Sequence, residues 1–208
     1  MNPLPDSSSG IAPAATEFPP ELRERLRLAE PAALALFFDT YFDRVYGYIR
    51  RFVPDDHLAE DLTQDVFLHV QRSLATYDPG RDPRPWVFTI ATNQLRDHWR
   101  SRANQSGRGE GAFDLDVVLE RLPAPELRPD SKLSEEELGN QVRSAIDHLP
   151  EGMRAAVLLR AFEGLSFEEI GHVLERNEVA ARKRYSRALE LLREALGRTW
   201  QLHGGGPR

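Results

Sequence analysis

The chain has no cysteine among its 208 residues. That excludes disulfides, thiolate metal sites and thiol nucleophiles, and it agrees with a reducing compartment. No apolar run approaches the roughly 18 residues of a membrane span, and the N-terminus lacks the basic-then-apolar order of a secretory signal. A soluble, cytoplasmic protein without membrane insertion is expected. Strict polar–apolar alternation is also missing, so strands are not expected. No glycine-rich phosphate loop and no Ser/His/Asp arrangement is present. Asp65 and His69 stand four residues apart, but no second Glu/His motif accompanies them as a carboxylate–histidine metal site would need. Neither catalytic residues, nor a metal, nor a cofactor is expected.

What the chain does have is helical periodicity. Residues 1–20 are rich in Pro, Ser and Ala without a repeat, and read as a disordered arm. From Glu21 the pattern turns helical. Leu34, Phe37, Phe38, Tyr41, Phe42, Val45, Tyr48, Ile49 and Phe52 recur at spacings of three and four, a wide apolar stripe closed by Pro54. Leu58, Leu62, Val66, Phe67, Val70 and Leu74 form a second stripe, and Val87, Ile90, Ala91 and Leu95 a third. Between these two lies "DPGRDPRP", read as a turn. Residues 103–133 are acidic and rich in Gly and Pro, too long for an ordinary connection in a compact domain. Helical pattern resumes over 134–200, leaving a tail at 201–208. The expected fold is all-α, with two small helical domains, 21–102 and 134–200, joined by a flexible acidic linker.

The formal charge of −6 hides its distribution. Residues 81–108 carry 6 basic and 2 acidic side chains, and residues 176–208 carry 8 and 3. These two basic islands alternate with acidic blocks, a pattern that permits two separate nucleic-acid contacts where the average alone would argue against one.

Just ahead of the second island Ser166 and Glu169 have the spacing of a capping box. Ile170, Val173 and Leu174 make a short buried stripe, and Asn177 is placed to cap the following helix. On that helix Ala181, Tyr185, Ala188, Leu189 and Leu192 are expected inward. Glu178, Arg182, Lys183, Ser186 and Arg187 then face out, with Arg184 on the flank. A capped helix, a short turn and a second helix with cations in its first turns is the helix-turn-helix arrangement, whose second helix enters the major groove. Arg there bridges guanine edges or phosphates. A merely solvated charged face is the plainer alternative.

In the first island Trp86, Phe88 and Trp99 interleave with Arg84, Arg96, Arg100 and Arg102, a composition suited to stacking and holding single-stranded DNA. For Trp86 a place in the core is the stronger reading. Upstream, Glu60, Asp61, Gln64 and Asp65 share one side of a helix whose other side is apolar, a face fit for a basic protein partner.

Taken in order, "AEDLTQDVFLHV", "RPWVFTIATNQLRDHWR" and "LPEGMRAAVLLRAFEGLSFEEIGHVL" resemble bacterial RNA polymerase sigma factors of the extracytoplasmic-function (ECF) group of the sigma-70 family. The resemblance covers about residues 30–102 and 134–197. It implies a region 2 helical bundle and a region 4 helix-turn-helix, with the linker where larger sigma factors carry a third domain. It further implies that Glu60, Asp61, Gln64 and Asp65 dock on the clamp of core RNA polymerase. Arg81, Arg84, Trp86, Asn93, Arg96 and Arg100 would bind and help melt the promoter −10 element. Glu178, Arg182, Lys183, Ser186 and Arg187 would read the −35 element, region 4 would meet the polymerase flap, and the acidic linker would follow the RNA-exit path. An anti-sigma factor is implied as a further partner. This chain has Thr89 and Thr92 where many members carry Arg, and "NEVAARKRYSRA" where the family often has Pro-x-Gly-Thr-Val-Lys-Ser-Arg. The rival reading is a stand-alone helix-turn-helix regulator, which would bind duplex DNA tightly without polymerase and leave the acidic helix without a task.

Overall fold

The computed structural model describes residues 18–105 and 135–202. Among the described residues every regular element is helical, in two bundles of four. The expected linker, apart from its first three residues, lies outside the described residues, as does residue 134. So do most of the expected arm and all but two residues of the tail.

In the first bundle α1 (Pro20–Arg27) leads into α2 (Pro31–Arg50) through Ala29, whose φ of 57° breaks the helix. Pro31 sits at the start of α2, where its missing N–H removes no helical bond. α3 (Asp56–Ser73) begins at Asp55, whose carboxylate accepts the Leu58 N–H at 3.0 Å. That backbone hydrogen bond holds the Asp55 carboxyl below its usual range and satisfies one of the free N–H groups at the helix start. α4 (Pro83–Gln105) completes the bundle.

An aromatic cluster centred on Phe37 ties these helices together. Its ring lies 5.9 Å from Phe18, 4.8 Å from Tyr41, 6.2 Å from Phe67 and 6.3 Å from Trp86, centroid to centroid. Phe18, expected in the disordered arm, is fully buried, its ring packed against Phe37. The turn expected over Asp78–Pro85 is shorter than that stretch, because α4 already begins at Pro83. Proline is tolerated in a first helical turn, where N–H groups have no intrahelical acceptor, and Asp82 caps the turn by accepting the Arg84 N–H at 2.7 Å.

The second bundle runs α5 (Glu135–Asp147), α6 (Glu151–Val157), a single π turn (Leu158–Phe162), α7 (Phe167–Val173) and α8 (Glu178–Leu202). Gly164, at φ 70°, reverses the chain between the π turn and α7. α8 packs against α5, α6 and α7. Ala181, Arg184 and Ala188 are buried along it and Tyr185 is half-buried. Two expectations change here. Arg184 is inside, not on the flank, and Leu189 is exposed, not inward, because three neighbouring helices set the buried side of α8 slightly off the purely apolar stripe.

The bundles touch along one side, chiefly through α4 and α7, and the buried apolar cluster is continuous across the junction.

Candidate polymerase and nucleic-acid interfaces

α3 presents its polar side outward. Glu60, Asp61, Gln64 and Asp65 are all exposed, opposite the buried Ala59, Leu62, Thr63, Val66, Phe67 and Val70. The four residues expected to form one face do so. Asp65 also accepts from the Gln94 side chain at 3.3 Å, which links this face to α4. Beside it lies a feature that the periodicity did not announce: an open apolar groove of about 290 Å³ between α2 and α3, lined by Leu34, Phe38, Phe42, Phe67 and Leu68. Phe38, expected in the buried stripe, is 44 % exposed. The signal was available in the width of the α2 stripe, which is broader than one covering helix can bury.

The residues expected on α4 separate into three environments. Arg81 and Arg100 are exposed, the latter paired with Asp97 at 3.1 Å. Trp86 packs in the aromatic cluster, 5.0 Å from Tyr77 and 6.3 Å from Phe37. Its partly buried ring helps hold α4 in place, in keeping with the core position that is the stronger reading for it. Phe88 is fully buried. Arg84 and Arg96 face the second bundle. Arg84 donates to the Glu163 backbone carbonyl at 2.8 Å, and Arg96 pairs with Glu175 at 3.1 Å while donating to Asn93 Oδ1 at 2.8 Å. Burial pushes the Arg96 guanidinium below its usual range, with Glu175 opposing. Of the two threonines, Thr92 is buried with its hydroxyl 3.0 Å from the Tyr48 hydroxyl, and Thr89 donates to the Pro85 carbonyl.

The helix-turn-helix is built as its sequence suggests. Ser166 accepts the Glu169 N–H at 3.2 Å and Glu169 accepts the Ser166 N–H at 2.7 Å, a complete capping box. Asn177 accepts the Ala180 N–H at 2.8 Å and so caps α8. Glu175 takes φ 55° in the turn. Gly171 makes the closest approach: a Cβ there would lie 2.8 Å from the Arg176 carbonyl oxygen. Glu178, Arg182, Lys183, Ser186 and Arg187 are all exposed on the outer side of α8. Arg182 pairs with Glu178 and stands over the Phe167 ring at 4.9 Å. Val179, which the helix pattern did not single out, is 75 % exposed at the start of the same face. Among the described residues no three His, Asp or Glu side chains converge where a cation could sit, and no helix is long and apolar enough to cross a membrane.

An acidic helix face on one bundle and a basic recognition helix on the other agree with what the chain is similar to. Residues 37–105 match the family of sigma-70 region 2, and residues 139–192 that of sigma-70 region 4. The RNA polymerase sigma factor CarQ of Myxococcus xanthus is 38 % identical over 174 residues, which are 84 % of this chain and 95 % of that protein. The chain belongs to the ECF group of sigma-70 factors. The ECF RNA polymerase sigma factor SigE of Mycolicibacterium smegmatis is 36 % identical over 159 residues, 75 % of this chain but only 58 % of that longer relative. In fold the chain is similar to the sigma factor RpoE of Bartonella quintana, solved in complex with the anti-sigma factor NepR, at 21 % identity and a TM-score of 0.57 over 85 % of this chain and 97 % of that one.

Proposed function

We propose that this chain is an alternative sigma factor, a cytoplasmic subunit without catalysis of its own that binds core RNA polymerase and directs initiation at selected promoters. Residues 21–102 serve as region 2. Glu60, Asp61, Gln64 and Asp65 dock on the clamp, and the neighbouring groove at Phe38 and Leu68 extends that contact with apolar area. Arg81, Arg84, Asn93, Arg96 and Arg100 hold the −10 strand during melting. Residues 134–200 serve as region 4, which meets the flap and reads the −35 element through Glu178, Arg182, Lys183, Ser186 and Arg187. Duplex readout sets position, while capture of unpaired bases offsets part of an opening cost of about a few kcal/mol per flipped base. Promoter binding by the holoenzyme weakens as salt rises, since each neutralised phosphate releases counterions. An anti-sigma factor is a further proposed partner.

The observation that carries this reading is the simultaneous outward placement of the acidic side of α3 and the basic side of α8 on a chain of this family. It is tested by binding labelled protein to bacterial core polymerase, wild type against Asp61→Arg. Tight binding that the charge reversal weakens is the expected result. No binding to core, together with tight binding to duplex DNA alone, would assign the chain to the stand-alone regulators.

A further inference from the structure

The outer side of α8 carries one residue that packing in its own bundle does not explain. Val179, the second residue of the helix, is 75 % exposed, more than any other large apolar side chain among the described residues. A single exposed valine is ordinary on a protein surface; its place is what singles this one out. At 3.6 residues per turn Val179 stands about 180° around the helix from Ala188, which is buried, while Arg182, Lys183 and Ser186 fall within about 60° of it. The valine is thus at the middle of the side that bears the cations. Its backbone is fixed, because Asn177 caps the first turn through the Ala180 N–H at 2.8 Å. Nor is it covered by its long neighbour. Arg182 pairs with Glu178 and leans over the Phe167 ring of α7 at 4.9 Å, a ring that Arg160 also approaches at 5.0 Å. In the stretch Asn177–Arg184, set against the pattern Pro-x-Gly-Thr-Val-Lys-Ser-Arg, Val179 stands at the glycine. The exposed isopropyl group is an addition made by this chain.

We propose that Val179 is a specificity-determining residue that packs on the C5 methyl group of a thymine in the −35 element. Thymine is the base that offers a methyl group in the major groove, and small apolar side chains recognise it by contact. The first residues of the second helix are the ones that reach base edges in a helix-turn-helix. Valine has no polar atom with which to satisfy the amino group of cytosine or the acceptors of guanine, so any other base there leaves a polar edge against an apolar side chain. Arg182 and Lys183 lie three and four residues further on, roughly 4.5 to 6 Å along the helix axis. That is under two base-pair steps of about 3.4 Å, so the thymine lies within two base pairs of the pair that these cations read. The inference rests on the reading of α8 as the −35 helix given above.

The test uses holoenzyme assembled from bacterial core polymerase and the full-length chain. Duplexes are selected from a pool randomised across the −35 and −10 segments, and each −35 thymine of the enriched sequence is then replaced in turn by deoxyuridine, which removes only the methyl group. At one thymine, within two base pairs of the position where Arg182→Ala or Lys183→Ala relaxes selection, wild type is expected to lose about fourfold in affinity. That is the effect of one methyl-sized apolar group returned to water. Val179→Ala places a good helix former at an exposed site and leaves the fold intact. It is expected to bind the thymine and deoxyuridine duplexes alike and to select thymine less strongly at that position. Val179→Ile keeps the apolar reach and is expected to keep the wild-type preference. If Val179→Ala still distinguishes thymine from deoxyuridine as wild type does, another group reads the methyl and the proposal is overturned. A loss of affinity that is the same on every duplex would overturn it too, since it would place Val179 against sugar or phosphate. So would methyl sensitivity confined to thymines further than two base pairs away. A pool that yields no enriched −35 sequence would remove the −35 reading of α8 and this inference with it, whereas an enriched sequence indifferent to deoxyuridine overturns the role of Val179 alone.

Discussion

Two basic helices in one molecule, α4 and α8, have opposite relations to their surroundings. The cations of α8 that face away from its bundle stand in solvent, held by nothing stronger than an exposed pair with Glu178 and a ring contact with Phe167. Two cations of α4, Arg84 in its first turn and Arg96 near its middle, are instead engaged by acceptors from the other bundle. Composition does not distinguish these cases, because both helices mix Arg with apolar residues. What distinguishes them is the neighbour that each outer face meets, so a basic patch counts as a DNA surface only in the state in which it is uncovered.

The two helices are also positioned differently, and substitutions can separate them. α4 is held through Trp86 by the aromatic cluster. Phe37→Ala removes the ring that touches Phe18, Tyr41, Phe67 and Trp86, and a loss of about 3–5 kcal/mol is expected for a buried aromatic truncation. Urea unfolding would show it. If the loss is under about 1 kcal/mol, the cluster does not organise the first bundle.

α8 is held by the turn before it. Gly171→Ala would drive a Cβ to 2.8 Å from the Arg176 carbonyl oxygen and 3.1 Å from the Asn177 carbonyl carbon. Both are backbone atoms, so the turn itself must shift. The expected cost is about 1–3 kcal/mol, measured by thermal unfolding, with reduced −35 discrimination by the holoenzyme in footprinting. Unchanged discrimination would mean that α8 docks independently of the turn angle.

A smaller effect sharpens the division of labour on α8. Arg187→Ala is expected to weaken promoter binding nearly evenly across sequences and to reduce the salt slope by about 1, as for a phosphate contact. Arg182→Ala is expected to cost about 1–3 kcal/mol at the matched base pair and to relax specificity there. Reversed roles in a salt titration against matched and mismatched −35 duplexes would exchange the two assignments.

Much of this arrangement was readable in the chain. The capping box at Ser166 and Glu169, the Asn177 cap and the exposed set on α8 follow from local spacing, and local hydrogen bonds decide them. The acidic face of α3 was readable for the same reason: one helix buries one side. What was not readable depends on partners distant in sequence. Arg44 and Glu163 are 119 residues apart, and neither has a local pattern that marks it for burial. The exposure of Phe38 and Leu189 and the burial of Arg184 likewise turn on how many helices surround α2 and α8, which periodicity along a single helix does not record. Phe18 was missed because a lone aromatic among prolines carries no repeat.

The smallest expected effect concerns pH, and its sign runs against the intuition of an ion pair. Burial raises the Glu163 carboxyl above its ordinary value of 4.5, while Arg44 and then Arg84 oppose that rise without cancelling it. A group whose pKa is raised in the folded, docked state contributes stability that is fully present below its ordinary value and is lost as pH rises through the raised one. Bundle docking should therefore tighten modestly on acidification from neutrality toward pH 5, although the pair with Arg44 is being neutralised. Taking the Glu163 carboxylate out of water costs more here than its attraction to Arg44 returns, as is common for buried pairs. By the same argument Glu163→Gln, which imitates the protonated side chain, should stay docked at neutral pH and lose this part of the pH response, whereas Glu163→Arg, which sets a like charge against Arg44, should undock. Energy transfer between dyes on α2 and α8, followed from pH 7.5 to 5, checks the sign; docking that loosens on acidification would show that the ion pair, and not the buried carboxyl's desolvation, governs the contact.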